Sequence, residues 1–365
     1  MQLLIWINTE ESWIDVSLSF RRSRELTRVK TMWQRKGLSL GFVSMAIAAC
    51  MSCLPQAAAQ EARASDYPNR RITIMVPWTA GGPSDTVMRI MAGHMSRTLG
   101  QRLVVENHPG SSGTVASLRT KLATPDGYTL VVGNTGTHGS AVALYSKLPY
   151  DPRTDFEPIA VLASGAIVIV GRKDLPPTDL KEFVAYLQSS PYKLDEAHGG
   201  VASISFTACL LFDQMIHAKS RLVPYDGAMP SVQALVRGRV DYMCDQTLNV
   251  VPQVRTGRIK AYAIAAPVRN PALPDVPTTK EGGLPEYELS AWQALFAPKG
   301  TPKAIVEKLN DAVGRALDDD TVRGRLLELG ADMPQGDQRT SQALADLVRN
   351  EVDRWTSVVK AAGPF

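Results

Sequence analysis

Short apolar runs of β-forming residues alternate with amphipathic helical runs along most of this chain, and no other feature narrows its fold so far. Ile72–Val76, Leu103–Val105, Tyr128–Val132, Ala166–Val170, Leu222–Val223, Val240–Met243 and Ala261–Ala265 read as strands. Helical spacing runs over Ser84–Leu99, Gly113–Leu122, Ser140–Tyr145, Leu180–Gln188, Ile204–His217, Pro230–Arg237, Pro302–Leu317, Thr321–Leu329 and Ser341–Lys360. In the first of these, Val87, Ile90, Met91 and Met95 share one side and Gly100 supplies the stop. Strand and helix in repeated succession bury their apolar faces as mainly parallel sheets flanked by helices, an α/β fold. No short-period repeat, low-complexity tract or long linker interrupts the pattern, so the chain is expected to cross between two lobes more than once.

The 365 residues are 44% hydrophobic and 21% charged, which excludes a disordered or collagen-like chain and leaves room for two domains. Lys and Arg number 40 against 36 Asp and Glu, but residues 1–59 hold 7 and 4 of them. The rest is therefore close to neutral, and no large positive field is on offer to nucleic acid. The N-terminal excess has its own explanation. From Met32, the cations Arg35 and Lys36 precede an apolar stretch from Leu38 to Leu54, and Ala57-Ala58-Ala59 follow before Gln60. That order describes a secretory signal peptide over 32–59. Residues 1–31 fit no part of a signal and read as a mis-assigned extension. Ile47-Ala48-Ala49-Cys50 also has the look of a lipoprotein signal, but the apolar stretch runs on past Cys50. Cys209 and Cys244 remain after cleavage, either as buried free thiols or as a bridge formed in an oxidising compartment.

The chemistry concentrates at four junctions that lead into helices. In Val76-Pro77-Trp78-Thr79-Ala80-Gly81-Gly82-Pro83-Ser84-Asp85, the two glycines let backbone approach a ligand and Pro83 suits the first helical position. Free N–H groups at the positive helix end then make an anion site, although a well-capped helix after a tight turn needs the same residues. No Gly-Lys-Ser/Thr follows, so it is not a nucleotide-binding P-loop. The second junction is Gly133-Asn134-Thr135-Gly136-Thr137-His138-Gly139-Ser140. The third is His198-Gly199-Gly200-Val201-Ala202-Ser203, with Ser203 as N-cap. The fourth is Pro224-Tyr225-Asp226-Gly227-Ala228-Met229-Pro230. Open α/β sheets bind ligands at the carboxyl ends of their strands, and four donor-rich turns there favour a small anion held mainly by backbone amides.

Enzymatic and metal signatures are missing. His94 reads as a spacer, His108 and His217 have no partner at metal-ligand spacing, and Cys-x-x-Cys and His-Glu-x-x-His are absent. Gly110-Ser111-Ser112-Gly113 lacks the spacing of a nucleophile elbow. No cofactor motif is complete, no residue set supplies a nucleophile with its base, and Trp292 and Trp355 read as packing residues.

The string Pro77 to Asp85 resembles the opening of the receptors of tripartite tricarboxylate transporters, the Bug family. The resemblance continues through Glu106-Asn107-His108-Pro109-Gly110, Pro125-Asp126-Gly127-Tyr128-Thr129-Leu130 and Leu148-Pro149-Tyr150-Asp151-Pro152. Asp155-Phe156 and Pro158, Val223-Pro224-Tyr225, Pro274-Asp275-Val276-Pro277-Thr278 and Ala297-Pro298-Lys299-Gly300-Thr301-Pro302 complete it. It covers nearly all the chain from about Tyr67. The resemblance implies a two-lobed periplasmic binding protein of the Venus-flytrap kind (type II) that closes on a small carboxylate and passes it to a permease of one large and one small subunit. It implies a first lobe of residues 60–164 and 292–365 and a second of 165–291. By carry-over, Trp78, Thr79, Ala80, Gly81, Gly82, Asp85, Thr135, Thr137 and His138 face the ligand from the first lobe. Gly200, Ala202, Ser203, Tyr225 and Asp245 face it from the second, and Asp226, next to Tyr225, is a further ligand-binding candidate of this chain's own.

This chain departs from the family pattern at Ala80, Ala202, Phe206 and Asp226. The last stands where the family commonly has Lys, so an inward-pointing acid would favour an amino or amide group on the ligand, while a capping role at the Pro230 helix fits equally. Two other readings stay open: a ligand-presenting sensor component for a membrane kinase, and a periplasmic hydrolase or lyase of small acids using Ser203.

Overall fold

Pro83 starts the first helix because its missing N–H costs nothing there, and Gly100 ends it with a left-handed φ of 67°. Along this helix, α1 (Pro83–Leu99), the side chains Val87, Met88, Met91, Met95 and Leu99 are all buried. Each contributes roughly 1.5–3 kcal/mol by leaving water. A computed structural model describes residues 66–362. The signal expected at 32–59, the extension at 1–31, Cys50 and Cys53 lie outside the described residues.

In chain order the elements are β1 (Ile72–Val76), α1, β2 (Leu103–Asn107), α2 (Thr114–Lys121), β3 (Thr129–Asn134), α3 (Ala141–Leu144), β4 (Phe156–Arg172), α4 (Leu180–Ser189), β5 (Asp195–His198) and α5 (Ile204–Met215). Then come β6 (Arg221–Pro224), α6 (Ala228–Val236), β7 (Tyr242–Gln246), α7 (Thr247–Arg255), β8 (Ile259–Ile264), β9 (Ser290–Pro298), α8 (Lys303–Asp318), α9 (Asp320–Glu328), β10 (Ala331–Asp332) and α10 (Ser341–Ala362). A π-helical turn, Gly136–Ser140, separates β3 from α3.

The strand order is β2-β1-β3-β9-β4-β7-β5-β6, with β8 and β10 also on β4. Two parallel sets, β2-β1-β3 and β7-β5-β6, are joined through antiparallel pairings of β9 and β4. The sheets are thus mixed at their junction and parallel where the helix-crossover units sit. The 17-residue β4 changes partners along its length: Phe156 to Ala166 pair with β9, while Ile167 to Arg172 pair with β7 and β8. The chain returns at Leu289, whose carbonyl accepts the Ile167 N–H at 2.9 Å.

Helices cover both faces of each half. In the first, α1 and α8 pack on one face and α2 and α10 on the other. In the second, α4 and α5 oppose α6 and α7. Helix α10 serves both: Leu344 and Val348 belong to a core of the first half, and Trp355 to one of the second. Between them Glu351 Oε2 accepts from the indole nitrogens of Trp292 (3.4 Å) and Trp355 (3.1 Å). Cys209 on α5 and Cys244 on β7 form a disulfide with a Cα–Cα distance of 5.2 Å, which decides between thiols and a bridge.

Candidate ligand-binding cleft

The first turn is held by one carboxylate. Asp85 is buried at the start of α1; its Oδ2 accepts the Gly81 N–H at 2.9 Å, and its Oδ1 accepts from Arg89 Nε and Asn107 Nδ2, both at 2.9 Å. Asn107 Nδ2 also reaches the Trp78 carbonyl at 3.0 Å. Burial works against its ionisation, but the bonds from Arg89, Gly81 and Asn107 outweigh it and lower the pKa. Asp85 therefore spends its oxygens on shaping the turn. Gly81 has φ 81°, and Gly82, the N-cap, has φ −76° with no side chain capping the helix. The first-turn N–H groups of α1 are left to other acceptors. Trp78 Nε1 and Thr79 Oγ1, in the same turn, are two of the six buried side-chain polar atoms without a hydrogen-bond partner among the described residues. Ala80 is exposed.

At the second turn the expected side chains are engaged within the protein. Thr135 Oγ1 accepts the Trp292 N–H at 3.0 Å. Thr137 N donates to Asn134 Oδ1 at 2.9 Å, and its hydroxyl lies 2.9 Å from His138 Nδ1. His138 is wholly buried, stacked on Phe296 at 4.3 Å and flanked by Phe156 and Tyr150. Burial pushes its pKa down to about 3, so the imidazole is neutral. Its Nε2 has no hydrogen-bond partner.

The third and fourth turns come from the second half. Gly200 has φ 106°, its N–H donates to His198 Nδ1 at 3.2 Å, and Ser203 caps α5 by accepting the Phe206 N–H at 3.2 Å. Ser203 Oγ also donates to the Gly200 carbonyl at 2.7 Å. Ala202 is fully buried and Tyr225 half-buried. Asp226 is exposed and α6 has no side-chain cap, so the capping role considered for it is not what the structure forms. Asp245, at the end of β7, is fully buried; burial pushes it up to about 6 against hydrogen bonds from Asn249 Nδ2 and the Gln246 N–H.

These turns meet. Gly227 packs on Thr79: a Cβ there would lie 2.6 Å from Thr79 Oγ1. A Cβ on Gly200 would lie 2.7 Å from Ser112 Oγ, and one on Gly136 would overlap the Ala202 carbonyl oxygen. The Met229 side chain comes within 3.9 Å of the Cβ position on Gly81. The four junctions, two from each half, thus pack against one another. Two surface depressions, of about 220 Å³ beside Lys280 and about 430 Å³ beside Arg70, lie elsewhere and include no residue of these turns.

Sequence reasoning missed the polar chain behind the cleft. Ser84 Oγ donates to Gln293 Oε1 at 2.5 Å, and Gln293 Nε2 donates to Gln246 Oε1 at 3.0 Å, linking the start of α1 through β9 to β7. The one signal available was a lone glutamine in the apolar run Ala291 to Ala297. It also missed Ser112, whose φ of 51° follows one of 45° at Ser111. No group of three or more metal-ligating side chains exists among the described residues.

The family model described as tripartite tricarboxylate transporter family receptor matches residues 87–363. The chain belongs to this family. A protein of Agrobacterium vitis, "UPF0065 protein in the TAR-I ttuE-ttuC' intergenic region", is 41% identical over 83% of this chain and 87% of its own length. Among solved structures, MatC from Rhodopseudomonas palustris with bound malate is 49% identical, covers 80% of this chain and all of its own, and superposes with a TM-score of 0.78. The periplasmic binding protein BugD is 36% identical over 81% of this chain and 99% of its own, TM-score 0.78. A second Rhodopseudomonas palustris protein, solved with adipate, is 34% identical over 82% of this chain and 99% of its own, also at 0.78. The resemblance carried by the short motifs is thus a family relationship, and the α/β fold is that of the tripartite tricarboxylate transporter receptors. The matched span takes in the second, third and fourth turns and starts just after Asp85.

Proposed function

We propose that this member of the tripartite tricarboxylate receptors captures a small carboxylate, without chemical turnover, between a first lobe of residues 60–164 and 292–365 and a second of 165–291. The observation that carries the reading is the meeting of the four turns across one cleft, with Trp78 Nε1 and Thr79 Oγ1 buried there and unpartnered. Donors that are neutral bind an anion without the desolvation cost of a buried cation. Gly82 and the first turn of α1 offer N–H groups and the positive helix end to one carboxylate. Trp78 and Thr79 add side-chain donors, and the turns at Gly200 and Tyr225 close over the ligand. Malate and adipate, bound by the two relatives, support a ligand of their kind: a chain of four to six carbons with a carboxylate at each end. Export through the signal at 32–59 places the receptor in the periplasm, and the closed form docks on a permease of one large and one small subunit.

A thermal-shift screen of malate, adipate, citrate and monocarboxylates tests this. A ligand at a hundredfold its Kd adds about 2.7 kcal/mol to stability, so the cognate acid should raise the Tm by several degrees. A panel in which no carboxylate moves the Tm refutes the reading.

A further inference from the structure

The three glycine contacts across the cleft have a common design. In each, an atom from the opposite side occupies the place where a side chain would begin: the Ala202 carbonyl oxygen at Gly136, Ser112 Oγ at Gly200 and Thr79 Oγ1 at Gly227. Each pair joins elements on opposite sides of the β4 partner change: Ser112 precedes α2 and Gly136 follows β3, while Gly200 and Ala202 lie between β5 and α5. Gly200 and Gly227, with φ 106° and 111°, need glycine for their own backbones. Gly136 does not: its backbone lies outside the left-handed region, in the π-helical turn, and an alanine there is free of torsional strain. What bars a side chain at Gly136 is chiefly the carbonyl across the cleft, with Asn134 Oδ1 of its own loop a milder neighbour at 3.1 Å. A backbone carbonyl fixed at the start of α5 by the Ser203 cap cannot swing aside as a flexible side chain would.

We infer that Gly136 is a positioning residue for cleft closure, one of three glycines forming a seam that sets how far the two sides approach and therefore whether the ligated form is reached. The inference rests on the closing-receptor reading above and adds to it a specific steric gate. A Cβ at Gly136 holds the cleft ajar without touching the core of either side. The ligand then meets its first-side donors but not the second, and apparent affinity falls with the population of the closed form.

The experiment compares wild type, Gly136→Ala, Ser112→Leu and Gly93→Ala. Gly93 lies on α1 with no atom within 4 Å of its Cβ position, so its alanine is the control. Circular dichroism and Tm report folding, calorimetry with malate and adipate reports binding, and small-angle X-ray scattering reports closure. The expected result is a native spectrum for Gly136→Ala, a larger radius of gyration than wild type, and affinity reduced roughly a hundredfold or more. Unchanged affinity with wild-type compaction overturns the seam. If wild type binds neither acid, the acid of the thermal-shift panel that raises its Tm takes their place; if none does, the carboxylate reading fails by itself, and the ligand-free profiles decide the seam: a more extended variant supports it and a superimposable one overturns it. Should Gly136→Ala not fold, Ser112→Leu, which adds bulk at the second contact on a residue already left-handed, is judged by the same outcomes.

Discussion

Asp85 Oδ2 accepts the N–H of Gly81 at 2.9 Å, so the acid that opens α1 grips the turn immediately before it. Its other oxygen is shared by Arg89 and Asn107, and Asn107 in turn holds the Trp78 carbonyl. A first-turn acid that reads as a ligand contact is, in the folded protein, the anchor that presents Trp78 to Gly82. Asp85→Ala leaves the Gly81 N–H, Arg89 and Asn107 short of an acceptor and should cost about 2–4 kcal/mol of stability. Carboxylate affinity should fall as well, because the turn loses its shape. Urea unfolding and calorimetry check both; a variant as stable as wild type removes the anchoring role.

Gly82 offers a cleaner separation of binding from folding. Its φ of −76° suits any residue, and a Cβ would only touch the Thr79 carbonyl at 3.5 Å. Gly82→Val should therefore fold with a Tm near wild type while its branched side chain covers the helix start and abolishes binding. Retained affinity for the cognate acid would displace the anion site from this turn.

An acid pair, Glu196 buried and Asp213 half-buried, makes the second half sensitive to pH. Tyr242 Oη donates toward Asp213 (3.0 Å) and lies 3.2 Å from Glu196 Oε2, with Ser220 Oγ 2.6 Å away. Burial, then the Asp213 charge, raises Glu196, and burial raises Asp213 to about 6 against bonds from Tyr242, Ser220 and Glu196. A carboxyl with a folded pKa above its unfolded one is stabilising below the unfolded value, and that share is lost as pH rises through the folded value. For Asp213 the window runs from about pH 4 to just above 6. Asp213→Asn removes this titration, so its stability relative to wild type should improve by roughly 1–3 kcal/mol between pH 4.5 and 7.5. Denaturant midpoints across that range measure the difference; parallel curves for the two proteins would contradict it.

Cys209 and Cys244 tie α5 to β7 across 35 residues of chain. Opening that link should cost about 2–4 kcal/mol. Dithiothreitol should lower the Tm by several degrees and expose the thiols of Cys209 and Cys244 in the unfolded chain; a Tm indifferent to reductant would mean the bridge carries no stability.

The alternation of apolar runs and helical spacing was enough to determine an α/β chain, the positions of α1, α4, α5 and the C-terminal helices, and four donor-rich turns at helix starts. These are local properties: side-chain period, helix caps and glycine torsions act within a few residues of one another. Strand β5, Asp195-Glu196-Ala197-His198, escaped because three of its four residues are polar, and β9 because Gln293 interrupts its apolar run. The length of β4 and the antiparallel joining of two parallel sets depend on partners far apart in the chain, such as Phe156 with Pro298 and Ile167 with Gln246, which no window along the chain contains. Tertiary structure alone decided which polar groups of these turns are paired and which are left unmatched. It turned His138 into a neutral ring among Phe156, Phe296 and Tyr150, Asp85 into an anchor, and Gly136 into the place where the opposite wall arrives. Residue type states what a side chain can donate or accept; only packing, by burying some partners and leaving others unmatched, states to whom.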